Sequence, residues 1–239
     1  MQPPYLIIVC ATLLTLEYAS YRDLKLRDIP ELTWVPATLL AIVLNVTYGE
    51  YTNMLFLLFS LMPAILLLIM SLLGMIGGAD FLAILLIGLA HPKFILMPVS
   101  LLTLIYSLII PLLLIIYYAI YNLVKFRDVL KKIKCVTGRK VYLVLFGKPV
   151  KISDFMSMKF TYLLTIPSND GFTCRASFSL EEEEEEAKEL IAKYVNKNML
   201  SLNDYVWVTP ALPHVLFILV GYVLALLTPE QLIIHFIFG

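Results

Sequence analysis

The stretch that decides the fold is Met54–Gly74, which reads MLFLLFSLMPAILLLIMSLLG and contains no charged residue. About 20 consecutive apolar residues suffice for a helix to cross the hydrocarbon core of a bilayer. The rest of the chain agrees with this segment, because 60% of all residues are hydrophobic and only 15% are charged. Soluble domains are nearer a quarter charged. The sequence therefore predicts an α-helical polytopic membrane protein.

Stretches of similar composition recur along the chain, and six of them have the length of a transmembrane helix, or nearly so. The first has neither a basic leading region nor a small-residue cleavage site, which indicates a retained helix and not a signal peptide. The fourth is interrupted by His91, Pro92 and Lys93, which is tolerated where protein or water covers the backbone. The six stretches lie at about 3–21, 30–48, 54–74, 80–97, 98–122 and 207–227.

Residues 123–206 are far more polar and predict a small α+β domain inserted before the last helix. Ser168-Asn169-Asp170-Gly171 has the composition of a turn and predicts a hairpin. Ser179 and Glu182 have the spacing of a capping box, which predicts a helix that runs to about Met199. Three segments rich in β-branched and aromatic residues predict strands: Val141–Ile152, Phe160–Ile166 and Phe172–Phe178.

The distribution of Lys and Arg predicts the orientation, because these residues accumulate in cytoplasmic loops. Placing the first loop inside puts 17 of the 18 basic residues in the cytoplasm and leaves only Lys93 outside. The N-terminus and the tail from Thr228 then face outward. The predicted organisation is a five-helix membrane domain, a cytoplasmic α+β domain, and a sixth helix with an outer tail: 1–122, 123–206 and 207–239.

This topology brings two acidic residues, Asp23 and Asp80, to the same cytoplasmic membrane face. Asp23 lies at the inner end of the first span, and Asp80 begins the fourth, after the chain has crossed out and back. Two carboxyl groups in a poorly hydrated site do not both ionise readily, so they share one proton. An aspartyl protease needs this arrangement: the ionised acid activates water and the protonated acid donates to the carbonyl oxygen.

Each aspartate also has a simpler interpretation. Asp23 lies beside Arg22 and Lys25, and an interfacial acid in such a loop is often only solvated. Asp80 follows three small residues, Gly77, Gly78 and Ala79. Its charge is favoured at a helix N-terminus by the helix dipole alone. Against this, acids within membrane segments are functional by default, and the small residues allow close approach of another backbone.

Two motifs carry a resemblance to prepilin peptidases. Ser20–Pro30, SYRDLKLRDIP, resembles their first aspartate motif, and Gly77-Gly78-Ala79-Asp80 resembles the second, GxGD-type motif. Short length, six spans and a late polar domain are similar to the archaeal preflagellin and prepilin peptidases. Trp207–Pro210 and Leu145–Lys148 also resemble segments of that family.

The resemblance implies an aspartyl endopeptidase with Asp23 and Asp80 as its catalytic pair. Its partners would be the lipid bilayer and precursors with class III signal peptides, namely archaellins and type IV pilins, cut at the cytoplasmic face. The segment Pro210, Ala211, Leu212 and Pro213 is similar to the PALP motif of presenilin-like proteases, which would lie beside the aspartates. The alternative is a simple helix start, where proline is favoured.

The chain also departs from the family. Leu82 stands where many members have Lys. The paired CxxC motifs of bacterial relatives are missing, so we expect no zinc, no other cofactor and no methyltransferase activity. The formal net charge is zero, which gives no electrostatic case for nucleic acid. The remaining thiols are expected to be free or packed, and the histidines to bind no metal: Cys10, Cys135 and Cys174; His91, His214 and His235.

Other acidic residues are assigned lesser roles. We expect Glu17 to make a polar contact between helices and Asp28 to be a solvated loop residue. We expect Glu181–Glu186 to form a solvated surface, which could also attract a basic substrate leader. Two other classes of function stay open. A proton-coupled transporter or channel would use Asp80 as a relay, and a non-catalytic assembly or anchor protein would need neither aspartate.

Overall fold

The computed structural model describes residues 3–168, 170–175 and 184–229. The chain divides into two compact units, of which one comprises Met1–Ile110 with Pro213–Gly239 and the other comprises Pro111–Leu212. The predicted strand residues 176–178 and the predicted capping box, Ser179 with Glu182, lie outside the described residues. Of the acidic run, only Glu184–Glu186 is described.

The first unit is helical. Short 3-10 turns at Glu31–Thr33 and Glu50–Thr52 precede its second and third helices. Its helices, with α5 continuing into the second unit, are α1 Pro3–Leu26, α2 Val35–Thr47, α3 Met54–Leu72, α4 Gly78–Ala90, α5 Val99–Lys125 and α10 His214–Leu227.

Three of these helices are long and apolar enough to cross a membrane, as far as the described residues go: Pro4–Leu26, Met54–Leu72 and Val99–Lys125. Three more apolar helical segments are shorter: Glu31–Thr47, Gly78–Ala90 and His214–Leu227. The chain is therefore a membrane protein with a mostly helical fold. The full set of six spans stays a prediction, because the shorter helices fall below the length that a straight crossing needs.

The predicted helix bounds depart most from the structure in the fourth and the last stretch. The fourth stretch is helical only to Ala90, not to 97, because the residue before a proline, here His91, is biased away from the helical region. The last helix does not begin at 207 but at His214. Tyr205–Pro210 is instead a strand with buried Trp207, so the side chains that look apolar enough for a span are core residues of a sheet.

The centre of the helical unit is α4, which contacts α1, α2, α3 and α10. Its residues Ala83, Ile84 and Leu86 have no exposed surface. The contact with α3 requires a glycine, since a Cβ at Gly88 would lie 2.7 Å from the Ser60 carbonyl oxygen. Small residues commonly allow such close helix packing in membrane proteins. The buried position of α4 fixes the residues at both of its ends.

The second unit is a small α/β region. The described residues form two three-stranded sheets, ordered β1-β5-β4 and β2-β6-β3. Strands β1 and β5 are parallel, and the other pairs are antiparallel. The elements after α5 are α6 Arg127–Lys132, β1 Cys135–Gly138, α7 Lys140–Phe146, β2 Lys148–Lys151, α8 Ile152–Phe155, β3 Thr161–Leu163, β4 Thr165–Ser168, β5 Gly171–Cys174, α9 Glu184–Asn196 and β6 Tyr205–Pro210.

The hairpin predicted around 168–171 is confirmed, since β4 pairs with β5 and Ser168 lies opposite Gly171. The strand predicted over Val141–Ile152 is wrong for its first half, which is α7. Asn122 stabilises the end of that helix by donating its side-chain N–H groups to the carbonyl oxygens of Leu143, Val144 and Gly147, at 3.2, 3.1 and 2.7 Å. Tertiary contacts therefore override the local β propensity.

Cys135 and Cys174 form a disulfide with a Cα–Cα distance of 5.5 Å, so the expectation of free thiols is wrong for these two residues. They lie 39 residues apart in the sequence, and the parallel pairing of β1 with β5 brings them together. Such a pairing leaves no signal in cysteine spacing. Cys10, on α1, is a free and exposed thiol.

Candidate active site

Asp23 lies in the last turn of α1, and both of its carboxylate oxygens have partners. The backbone N–H of Val215 donates to Oδ2 at 3.2 Å, and Nη1 of Arg27, one turn further along, donates to Oδ1 at 3.3 Å. The side chain is 14% exposed. These two donors hold the carboxyl group of Asp23 in a fixed orientation at the end of α1.

Asp80 lies in the first turn of α4 and is only 8% exposed. Its Oδ2 atom lies 3.8 Å from Nδ1 of His214, the first residue of α10. Its carboxyl group lies within electrostatic range of that of Asp23. The site therefore contains two carboxyl groups in a poorly hydrated environment, with a histidine beside one of them.

The first turn of α10 connects the two acids. His214 contacts Asp80 with its side chain, while the next residue, Val215, holds Asp23 through its backbone N–H. The first N–H groups of a helix have no partner within the helix and carry partial positive charge. Pro213 precedes this turn as its N-cap. A helix start pointed at the carboxyl groups thus stabilises negative charge at the site.

Two family models match the chain. The type IV leader peptidase family matches residues 8–120, which include Asp23 and Asp80, and Archaeal Peptidase A24 C-terminus Type II matches residues 139–229, which include His214. The chain is an archaeal prepilin/preflagellin peptidase-like protein. No curated protein matches it. The resemblance predicted from the two aspartate motifs is confirmed, and the chain is a membrane peptidase by family.

The glycines of the second motif, Gly77 and Gly78, lie at the N-terminus of α4. Gly77 is extended, with φ −71° and ψ 147°, and Gly78 starts the helix. Leu82 is two residues after Asp80, about 200° further round the helix. It lines an apolar groove together with Trp34 and Leu85, so it does not stand in for a lysine charge beside the carboxyl groups.

The segment that resembles the PALP motif is divided between the two units. Pro210, Ala211 and Leu212 belong to the α/β unit, and Pro213 belongs to the helical unit. Pro210 ends β6, and the backbone N–H of Ala211 donates to the Phe160 carbonyl oxygen at 2.8 Å. Pro213 belongs to the helical unit and precedes the turn that holds Asp23. His214 and Val215, which contact the aspartates, are the two residues that directly follow the motif.

The other candidate acids lie apart from the carboxyl pair. Glu17 is on the exposed side of α1, not buried between helices as the sequence suggested. Asp28 is exposed, as expected, and pairs with Arg22 at 3.4 Å. Within the described residues, no group of three or more His, Cys, Asp or Glu side chains is arranged to hold a metal ion. The donors present in the site suit proton transfer to and from carboxyl groups.

Sequence reasoning missed His214. It treated the histidines only as possible metal ligands and found no ligand spacing among them. The signal that was present is positional, because His214 follows Pro213 directly and so stands in the first turn of the last helix. In the predicted topology that turn lies at the same membrane face as the aspartates.

Proposed function

We propose that this peptidase is an aspartic endopeptidase that cleaves class III signal peptides of archaellin and type IV pilin-like precursors at the cytoplasmic membrane face. Asp23 and Asp80 would activate the water that attacks the peptide bond. The observation that supports this proposal best is the meeting of both carboxyl groups at the first turn of α10.

The environments of the two acids suggest their roles. Asp23 accepts hydrogen bonds from Arg27 and Val215, so it is the carboxylate that takes a proton from water as the water oxygen attacks the amide carbon. Asp80 is buried beside a second acid, so it carries the proton and donates it to the carbonyl oxygen. Attack of water and protonation of the carbonyl oxygen give a tetrahedral diol. Asp23 then passes its proton to the leaving amine, and a hydroxyl group of the diol returns a proton to Asp80 as the carbon–nitrogen bond breaks.

The proposed substrate suits the proposed topology. A short basic leader stays in the cytoplasm by the same rule that orients the peptidase, and the hydrophobic segment behind it enters the membrane. The bond between them then lies at the inner face, where the first loop places Asp23. The acidic run that includes Glu184–Glu186 is exposed at Glu185 and Glu186 and would attract such a leader at long range.

The decisive experiment replaces each acid separately, as Asp23→Asn and Asp80→Asn, and follows cleavage of a precursor in membranes with N-terminal sequencing of the product. Each variant should lose at least about a hundredfold in rate, as expected for a group that transfers protons in the transition state. Asp28→Asn is the matched control, because Asp28 is an exposed acid that follows closely after the end of α1. Substantial cleavage by either dyad variant would refute the proposal.

The pH dependence gives a second test. Because one acid must be ionised and the other protonated, cleavage should rise and then fall with pH, and the two limbs belong to the pair as a whole. The rate of the unmodified peptidase measured from acid to alkaline pH checks this. A rate that only rises through the alkaline range would point to a different catalytic group.

A further inference from the structure

An apolar groove lies between the beginnings of α2 and α4, at the same end of the helical unit as Asp23 and Asp80. This open groove has a volume of about 670 Å³. From Gly78 to Leu85 it follows α4 for about 10 Å, at 1.5 Å per residue. The lining residues that matter here are Glu31, Trp34 and Leu39 on one wall and Gly78, Leu82 and Leu85 on the other.

The chemistry of the groove is apolar inside and acidic at one end. Trp34 is almost fully buried at 2% exposure, whereas Leu39 is 56% exposed and open to an occupant. Glu31 is an exposed carboxylate in the turn just before α2. A lipid chain would gain nothing from that carboxylate. A hydrophobic peptide segment that adjoins positively charged residues would match both the apolar walls and the acidic end.

Asp80 points away from this groove, since it lies about 200° round α4 from both Gly78 and Leu82. A chain in the groove must therefore pass over the start of α4 to reach the carboxyl groups. Gly77 and Gly78 leave that helix end without side chains, which gives an extended backbone room to pass.

The fold itself does not require glycine at these two positions. Gly77 has φ −71°, which any residue adopts. A Cβ at Gly77 would meet Oδ2 of Asp80 at 3.9 Å, and one at Gly78 would meet Oγ of Ser71 at 3.9 Å, both ordinary contact distances. The missing side chains thus leave space that internal packing does not use.

We propose that this groove binds the hydrophobic segment of the precursor that follows the cleaved bond. The chain leaves the groove over Gly77 and Gly78 to reach Asp23 and Asp80, and Glu31 attracts the basic residues near the junction. This inference rests on the proposed peptidase function and adds to it the site that selects the substrate.

A photo-crosslinking experiment tests occupancy without relying on cleavage. A benzophenone amino acid is placed at Leu39 or, as the matched control, at the neighbouring Leu40, which lies outside the groove and is 37% exposed. Both are made with Asp80→Asn, so that the precursor stays intact. Position 39 should capture the hydrophobic segment of the precursor and position 40 should not. Capture of lipid only at position 39, or equal capture at both positions, would overturn the proposal.

The second measurement is of KM and kcat for single variants that keep Asp80. Leu39→Trp fills the groove and should raise KM about tenfold with kcat little changed, because binding is lost away from the reacting atoms. Leu40→Trp should match the unmodified enzyme. Glu31→Gln should raise KM for precursors with basic leaders, whereas Asp28→Asn should not. If both groove variants behave as their controls while Asp80→Asn is inactive, the groove proposal fails and the proposed function stands.

Discussion

The two ends of α4 are both polar, and the difference between them shows which polar residues serve the fold. At the C-terminal end, side chains from neighbouring elements donate to the carbonyl groups that the helix leaves unpaired. Asn45 donates to Leu89 and Ala90 at 2.9 and 3.3 Å, and Tyr51 donates to Leu89 at 2.8 Å. At the N-terminal end, two carboxyl groups and a half-exposed histidine come together at the first turn of α10.

The C-terminal network continues into the core. Ser60 donates to the carbonyl oxygens of Gly88 and His91, each at 3.0 Å, and Nε2 of His91 is 2.7 Å from the Tyr222 hydroxyl. In a membrane, backbone groups that water cannot reach must be paired within the protein. This end therefore stabilises the fold. The N-terminal end instead brings two acidic groups together; ionising both would oppose stability, and sharing one proton suits proton transfer.

The largest effect expected from this contrast is a difference in stability between variants of the two glycines of α4, Gly88 and Gly78. Gly88→Ala should lower the free energy of unfolding by about 1–3 kcal/mol, the usual effect of overpacking, because its Cβ would lie 2.7 Å from the Ser60 carbonyl oxygen. Gly78→Ala should leave stability unchanged or slightly higher, since alanine favours helix. Thermal unfolding in detergent measures both. Equal destabilisation would show that both ends of α4 are packed for stability.

The next effect concerns the capping side chain Asn45. Asn45→Ala leaves the carbonyl groups of Leu89 and Ala90 without this donor, and a buried unpaired polar group costs about 1–3 kcal/mol. The unfolding temperature should fall, while cleavage per folded molecule stays close to that of the unmodified peptidase. A variant that is fully stable but inactive would place this end of α4 in the catalytic machinery.

The contrast also explains what the sequence could predict. The span at Met54–Leu72 follows from composition, and the expected approach of Asp23 to Asp80 follows from alternating topology; both are local or count-based signals. The strand at Tyr205–Pro210 and the Cys135–Cys174 disulfide depend on pairing between distant segments. No window of sequence contains both partners of such a pair, and strand preferences depend on that context.

His214 shows the same limit of sequence-based prediction at the site itself. Its place in the chain predicts a position near the inner membrane face, but its contact with Asp80 depends on how α10 packs against α1 and α4. Likewise, the family resemblance shows only that Leu82 stands where many members have Lys, and the packing of α2 beside α4 shows that it lines a groove.

The smallest expected effect is a shift in pH dependence caused by His214→Gln. Burial, the largest influence, and the charge of Arg27 oppose the protonated form of this histidine, whereas Asp23 and the neighbouring Asp80 favour it. When protonated, His214 stabilises negative charge on the carboxyl pair. Its loss should therefore let the pair keep its second proton to higher pH and move the acid limb of cleavage up by about half to one pH unit.

Three variants separate this electrostatic role from a structural one. His214→Lys keeps a cation and should move the acid limb back toward its original position, whereas His214→Phe should behave as His214→Gln does. His91→Gln, at the opposite end of α4, should lower the unfolding temperature and leave the acid limb in place, because His91 pairs with Tyr222 and not with a carboxyl group. If His91→Gln moved the limb as far as His214→Gln, protonation of the pair would depend on general stability and not on the residue beside Asp80.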